Sequence, residues 1–384
     1  MRKIVYAVYH DCNKEARSME LLHCCRRMGH VDFVSYAVPQ NVNDINMHFV
    51  DKQSPFALFK FLYLAKDTIR KVNPDWVVLH DNDCAALLPF IKKNYPNTKI
   101  IYDSSELFIQ MEGSKKAPFF GNDGIVVWLK KQLTVFREKY ERRYLKYADV
   151  VIAANLERAK IMEKYFGLDS LPLIFDNIHK IGDIPDNKEC QKKFEVALKK
   201  DRFNILFGGG ISEERKTFDY IRSFKQLSEK FNLVIVGSAS PLARKRYIEL
   251  TQGLDGDRIH YLGFISRAEL RYCMMNCQAS VVVFDKDSYN TLYCASGKCF
   301  ESLFEGVPIL ASENPPLKRL CDENKIGVSN DDYAAGAIQL ESNYEFYSKS
   351  VRKYIDSIHY QERLDNLIKV IEETVGVEHV QKNY

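Results

Sequence analysis

Short runs of β-branched and aliphatic residues alternate along the first half of the chain with segments whose apolar positions recur every three or four residues. Lys3–Tyr9, Val31–Ala37, Asp75–His80, Lys99–Tyr102, Asp149–Ala153 and Pro172–Phe175 read as buried strands. Apolar runs of this length between amphipathic helices predict a parallel sheet. After a polar stretch from Asn177 to Asp201 the pattern restarts, with strands expected at Phe203–Phe207, Asn232–Val236, Ile259–Leu262, Ser280–Phe284 and Val307–Leu310. The expected fold class is α/β, with two Rossmann-like doubly wound domains. From about Tyr344 to Val375 the helical spacing of Tyr354, Ile355, Ile358, Leu364, Leu367, Ile368 and Ile371 predicts one long helix or two.

Length agrees with two domains, because 384 residues exceed the ~250–300 at which a single core stops growing. A composition of 46% hydrophobic and 28% charged residues excludes a disordered chain and a membrane protein. The apolar run Ile4–Tyr9 is too short for a signal peptide, and Phe56–Ala65, broken by Lys60, is too short to span a bilayer. The ten cysteines are scattered without a C-x-x-C pair, which predicts reduced thiols in the cytoplasm and no zinc cluster. Net charge is +4, divided as +6 over residues 1–180 and −2 over the remainder. That asymmetry suits either an anionic neighbour of the first half or a solvated surface.

In open α/β sheets ligands bind beyond the carboxyl ends of the strands, so residues just after each strand carry the chemical information. Gly208, Gly209 and Gly210 follow the strand Phe203–Phe207 and lead through Arg215 and Lys216 into a helix expected near Thr217. Glycines admit a close ligand, a helix N-terminus favours anions, and the two cations suit a diphosphate. Ser296, Gly297 and Lys298 enter a second short helix with Glu301 in its first turn, a carboxylate able to accept hydrogen bonds from vicinal ribose hydroxyls. In the first half, His80-Asp81-Asn82-Asp83 and Tyr102-Asp103-Ser104-Ser105-Glu106 follow strands. Their carboxylates are candidates for catalysis or for helix capping.

Taken in order, these segments resemble the GT-B glycosyltransferases of the family 4 type, notably those acting on bacterial capsule, exopolysaccharide and lipopolysaccharide precursors. The likeness runs through His80-Asp81 with Leu87-Leu88-Pro89, Tyr102 to Phe108, Asp176-Asn177, Gly209-Gly210-Ile211 with Arg215, Tyr261 to Ile265 with Glu269-Leu270, and Tyr293 to Glu301. Ser105 stands where a histidine is usual, Tyr293 where a glutamate is, and Gly297 where an asparagine is. The resemblance implies two domains facing a central cleft. It places an acceptor-binding domain at 1–178, a linker at 179–201, a nucleotide-sugar domain at 202–354, and a C-terminal helix of about 355–384 packed back on the first domain.

It also implies a retaining enzyme that moves a sugar from a UDP-sugar or GDP-sugar to a glycan or lipid-linked acceptor, with no cofactor, essential metal or nucleic acid. Arg215 and Lys298 are expected to stabilise the departing diphosphate. Gly208, Gly209, Gly210, Lys216, Gly263, Phe264, Ser296, Gly297 and Glu301 are expected to bind the donor, and Asp81 and Glu106 are candidate bases. A sugar-nucleotide epimerase and a non-catalytic GT-B scaffold are the rival readings. A hydride-transferring enzyme fits less well, because no G-x-G-x-x-G follows the first strand. Finally, Pro118 to Trp128 precede a basic helix carrying Lys130, Lys131, Arg137, Lys139, Arg142 and Arg143. This combination suits either peripheral contact with anionic membrane on its cytoplasmic face or an ordinary amphipathic core helix.

Overall fold

The computed structural model describes residues 1–51, 56–109, 135–213, 215–254 and 256–381. The chain forms two compact units, Met1–Asn177 with Tyr360–Tyr384, and Ile178–His359. The aromatic and basic residues from Pro118 to Lys131 lie outside the described residues. Among the described residues no helix is long and apolar enough to cross a membrane.

Unit 1 holds a parallel sheet of seven strands: β1 (Arg2–Val8), β2 (Gly29–Ser35), β3 (Asn46–Phe49), β4 (Trp76–His80), β5 (Lys99–Ser104), β6 (Val150–Ala153) and β7 (Leu173–Ile174). Their spatial order is β3-β2-β1-β4-β5-β6-β7. Every residue of β4 is buried, and the last five of β1 are too. This double-sided burial is why the central strands read as unbroken apolar runs. The edge strand β3, Asn-Met-His-Phe, has no fully buried residue, so its sequence carries no unbroken apolar run.

Unit 2 holds a six-stranded parallel sheet of β8 (Phe203–Gly208), β9 (Phe231–Val236), β10 (Ile259–Gly263), β11 (Ala279–Val282), β12 (Ile309–Ala311) and β13 (Gly327–Ser329). The order is β10-β9-β8-β11-β12-β13. Both sheets therefore reverse winding once, between β1 and β4 and between β8 and β11. Crevices open at such points, outside the carboxyl ends of the two strands.

The segment read from sequence as a linker belongs to unit 2. Ile181, Cys190 and Phe194 pack into a core cluster with Leu206, Val234 and Met274, and Asp186 caps the helix Asn187–Phe194 by accepting from the amides of Lys188 and Glu189. Its polar composition reflects one solvated face of a docked helix. The C-terminal stretch divides into helices Tyr344–Ser357 and Arg363–Gln381. The second returns to unit 1, where Leu367, Ile371 and Val375 join Leu21 and Leu22 in the core.

One buried carboxyl makes unit 1 sensitive to pH. Glu141 accepts a hydrogen bond from the Tyr102 hydroxyl at 2.7 Å, and burial pushes its pKa from about 4.5 up to about 8. The folded protein thus binds a proton that the unfolded chain releases between these values, and stability falls as pH rises through that window. Glu141→Gln should remove this slope. Relative to the parent it should raise the urea midpoint at pH 8.5 by the equivalent of on the order of a few kcal/mol and change little at pH 5. Parallel pH profiles of the two proteins would contradict the assignment.

Candidate functional site

In unit 2 the turns at the carboxyl ends of β8 and β9 are built from glycine conformations that other residues rarely adopt. Gly209 has φ 121° and Gly210 has φ 86°, and the Gly209 and Gly210 amides both donate to the Val236 carbonyl at 2.9 Å. A Cβ on Gly210 would lie 2.2 Å from the Ser238 carbonyl oxygen, and one on Gly237 would lie 2.2 Å from the Gly210 nitrogen. The turn after β8 is thus pressed against the turn after β9. Only residues without a Cβ allow that approach.

Lys298 reaches this turn from the helix Gly297–Phe304. Its Nζ donates to the Gly208 carbonyl at 3.4 Å and lies 2.2 Å from where a Gly209 Cβ would sit. Beside it opens a cavity of about 190 Å³ lined by Gly208, Gly209, Gly237, Phe264, Arg267 and Lys298 among others. The glycine turn and the lysine, 88 positions apart, share one wall. On the other side of Gly209 a more open cavity of about 630 Å³ runs along Ser212, Ser238, Leu242 and Arg246.

Glu301 lies one turn along the same helix and is 4% exposed. Its Oε1 accepts from Arg267 Nη2 at 2.8 Å and faces His179 Nε2 at 3.4 Å. Burial works to raise this carboxyl, yet the contacts from His179 and Arg267 outweigh it and hold the group below its ordinary value. A Cβ on Gly297 would fall 2.1 Å from the His179 ring. The glycine at that position therefore has a local reason, since the imidazole occupies the space a side chain would take.

Arg215 stacks its guanidinium over the Phe284 ring at 4.4 Å. Phe284 packs in the same cluster as Cys299 and Phe300, so Arg215 and the Lys298 helix share a neighbourhood. Lys216 is placed differently. With φ 52° it precedes the helix Thr217–Phe224, and its ammonium faces Asp219 of that helix at 3.5 Å; neither it nor Arg215 lines the two cavities. Gly263 takes φ 69° and accepts from the Gly237 amide at 2.7 Å, leaving Phe264 86% exposed at the cavity edge. Ser296 precedes the helix without a side-chain capping bond. His179, Gly237 and Arg267 were not singled out from sequence. His179 falls in the apparent linker, while Arg267 and Gly237 sit in ordinary capping and turn contexts.

In unit 1 the two candidate bases have different surroundings. Asp81, with φ 58°, is buried, and its oxygens accept from the Ser105 amide at 2.8 Å, the Ser105 hydroxyl at 2.9 Å and the Glu106 amide at 3.1 Å. Burial raises its pKa. These bonds make Asp81 the organiser of the 105–106 turn, and Ser105 is small enough to close upon it. Glu106 is half exposed, 3.9 Å from Arg158. Neither Asp83 nor Ser104 caps a helix: Asp83 pairs with Arg137 at 2.8 Å, and the Ser104 hydroxyl donates to the Glu106 carbonyl at 3.1 Å.

Comparison with known proteins places this geometry in context. Residues 189–361 match the family model of the group 1 glycosyl transferases. The uncharacterised glycosyltransferase MJ1059 of Methanocaldococcus jannaschii is 24% identical over 265 residues, which is 66% of this chain and 56% of that protein. Among solved structures, sucrose-phosphate synthase from Thermosynechococcus elongatus superposes with a TM-score of 0.71 at 14% identity, covering 98% of this chain and all of the other. Anabaena HepE, solved with UDP-glucose, gives 0.69 at 13% identity over 98% and 100% of the two chains.

Proposed function

We propose that this chain, which has the GT-B fold and carries a group 1 glycosyltransferase domain at residues 189–361, is a glycosyltransferase whose unit 2 binds a nucleoside diphosphate sugar. The observation that carries this reading is the meeting of Lys298 with the Gly208–Gly210 turn at one cavity, backed by the Arg267–Glu301 pair. The binding of UDP-glucose by HepE supports a UDP-sugar as the first donor to test.

In this reading the glycine turn, lacking side chains, lets the diphosphate come close to the backbone, while Lys298 and Arg215 stabilise the charge that grows on it as the sugar departs. Such pre-placed charges act without reorganising and commonly supply the largest catalytic term. Both contacts to Glu301 fall on Oε1, so Oε2 is the oxygen assigned to the ribose hydroxyls. Unit 1 handles a glycan or lipid-linked acceptor, the transfer retains anomeric configuration without a metal on the diphosphate, and the product serves a bacterial surface polysaccharide. Peripheral contact with anionic membrane belongs to the same reading.

A nucleotide that binds the native state raises its apparent stability, by ~2.7 kcal/mol at a hundred times Kd. UDP or GDP should therefore raise the unfolding temperature of the parent protein, and Arg215→Ala and Glu301→Ala should each diminish the rise. Unchanged shifts in both variants, or no shift with any nucleoside diphosphate, would overturn the donor assignment. Epimerised sugar formed without an acceptor would move the chain to the epimerases.

A further inference from the structure

The winding reversal of unit 1, between β1 and β4, holds a cluster that the donor chemistry of unit 2 does not use. His10 follows β1, Glu15 precedes the helix Ala16–Met28, and His80 ends β4. One ligand atom from each lies within 4.8 Å of the other two. His80 Nε2 and Glu15 Oε2 are 3.2 Å apart, and Glu15 Oε2 also contacts His10 Nε2.

Two features distinguish this cluster from an ordinary ion pair. First, His80 is fully buried, yet its Nε2 and the facing Glu15 Oε2 make no hydrogen bond of good geometry. Two atoms so close without alignment point at a shared third position. Second, the opposite ring nitrogen is already oriented: His80 Nδ1 lies 3.0 Å from Asp103, whose other contacts are to Arg17. A carboxylate behind the imidazole is the usual support of a metal-bound histidine.

We propose that His10, Glu15 and His80 bind a divalent transition-metal ion of the zinc class. Two imidazoles and a carboxylate suit zinc, with donors separated by ~3.4 Å at normal bond lengths. Three protein ligands leave a fourth position open to water or a hydroxyl oxygen. His10 and Glu15, whose side chains are 26% and 29% exposed, make that position accessible to solvent. All three ligands belong to unit 1, whereas Lys298 and Arg215 belong to unit 2.

The test uses the full chain, purified without a histidine tag and stripped with chelator. Titration with zinc alone should show one equivalent bound, and cobalt should give the visible absorption of a low-coordinate nitrogen and oxygen site. His10→Ala and Glu15→Gln, both at partly exposed positions, should weaken zinc binding more than ~10-fold, while His48→Ala, at a histidine remote from the cluster, should not. Absence of stoichiometric zinc on the parent protein would overturn the proposal even if a variant failed to fold. So would wild-type affinity in both ligand variants, or an equal loss in His48→Ala. Because the readout is metal content, failure here leaves nucleotide binding by unit 2 untouched.

Discussion

Lys298→Ala is expected to lower kcat/KM for sugar transfer by about 10²–10³, the usual cost of removing a charge aimed at a developing anion. The ammonium sits against the Gly208 carbonyl at the winding reversal of unit 2, where a diphosphate would approach the glycine turn. The loss should fall mainly on kcat, since charge accumulates as the glycosidic bond breaks. A companion substitution tests the geometry separately. Gly209→Ala removes no functional group, but its Cβ would lie 2.2 Å from Lys298 Nζ on backbone at φ 121°, so it should displace the ammonium and lose activity on the same order. Kinetics of the two variants with a UDP-sugar, once an acceptor is known, provide the measurement. Donor hydrolysis serves before that. A Lys298→Ala enzyme within ~3-fold of the parent would remove the lysine from the mechanism that electrostatic stabilisation requires.

Arg17→Leu is expected to destabilise unit 1 by about 3–5 kcal/mol, because it removes the guanidinium from a buried carboxylate. Arg17 is 2% exposed and Asp103 is fully buried. The guanidinium donates to both Asp103 oxygens at 2.5–3.0 Å, to Asn177 at 3.1 Å and to the Phe175 carbonyl, and it lies over the Phe175 ring. It therefore ties the start of the first long helix to β5 and to the end of unit 1. Burial works to raise the Asp103 carboxyl, but Arg17 and His80 outweigh it and hold the group below its ordinary value. Once Arg17 is gone, Asp103 would face Glu15 and Asp81 across a poorly screened interior. Adding Asp103→Asn to Arg17→Leu should recover part of the loss, because it removes the orphaned charge. Urea unfolding of the single and double variants checks this, and a loss under 1 kcal/mol for Arg17→Leu would be incompatible with the buried pair as described.

These two predictions rest on different kinds of information. The glycine turn could be read from sequence because an unusual backbone demands an unusual residue, and Gly208-Gly209-Gly210 directly after an apolar run signals a close approach whatever surrounds it. The central strands could be read for a related reason, since burial on both faces selects unbroken apolar residues. The four-residue edge strand Asn46–Phe49 and the three-residue edge strand Gly327–Ser329 had no such signal, because runs this short constrain composition too little to stand out.

Side-chain partnerships depended on the tertiary structure. Lys216 and Lys298 are both cations beside glycine-rich turns. One turns to Asp219 on its own helix, and the other reaches across the sheet to Gly208. Asp81 sits at a strand end as a catalytic carboxylate might, yet three hydrogen bonds from residues 105 and 106 commit it to shaping a loop. His10, Glu15 and His80 are spread over 70 positions and follow no ligand spacing, because their meeting is produced by the adjacency of β1 and β4 in the sheet. The sequence by itself determined two parallel-sheet units and a glycine-lined turn, since local burial and backbone conformation restrict residue type directly. Which charges pair, and which remain to meet a ligand, was decided by the strand order, because contacts between distant segments exist only after the sheet has formed.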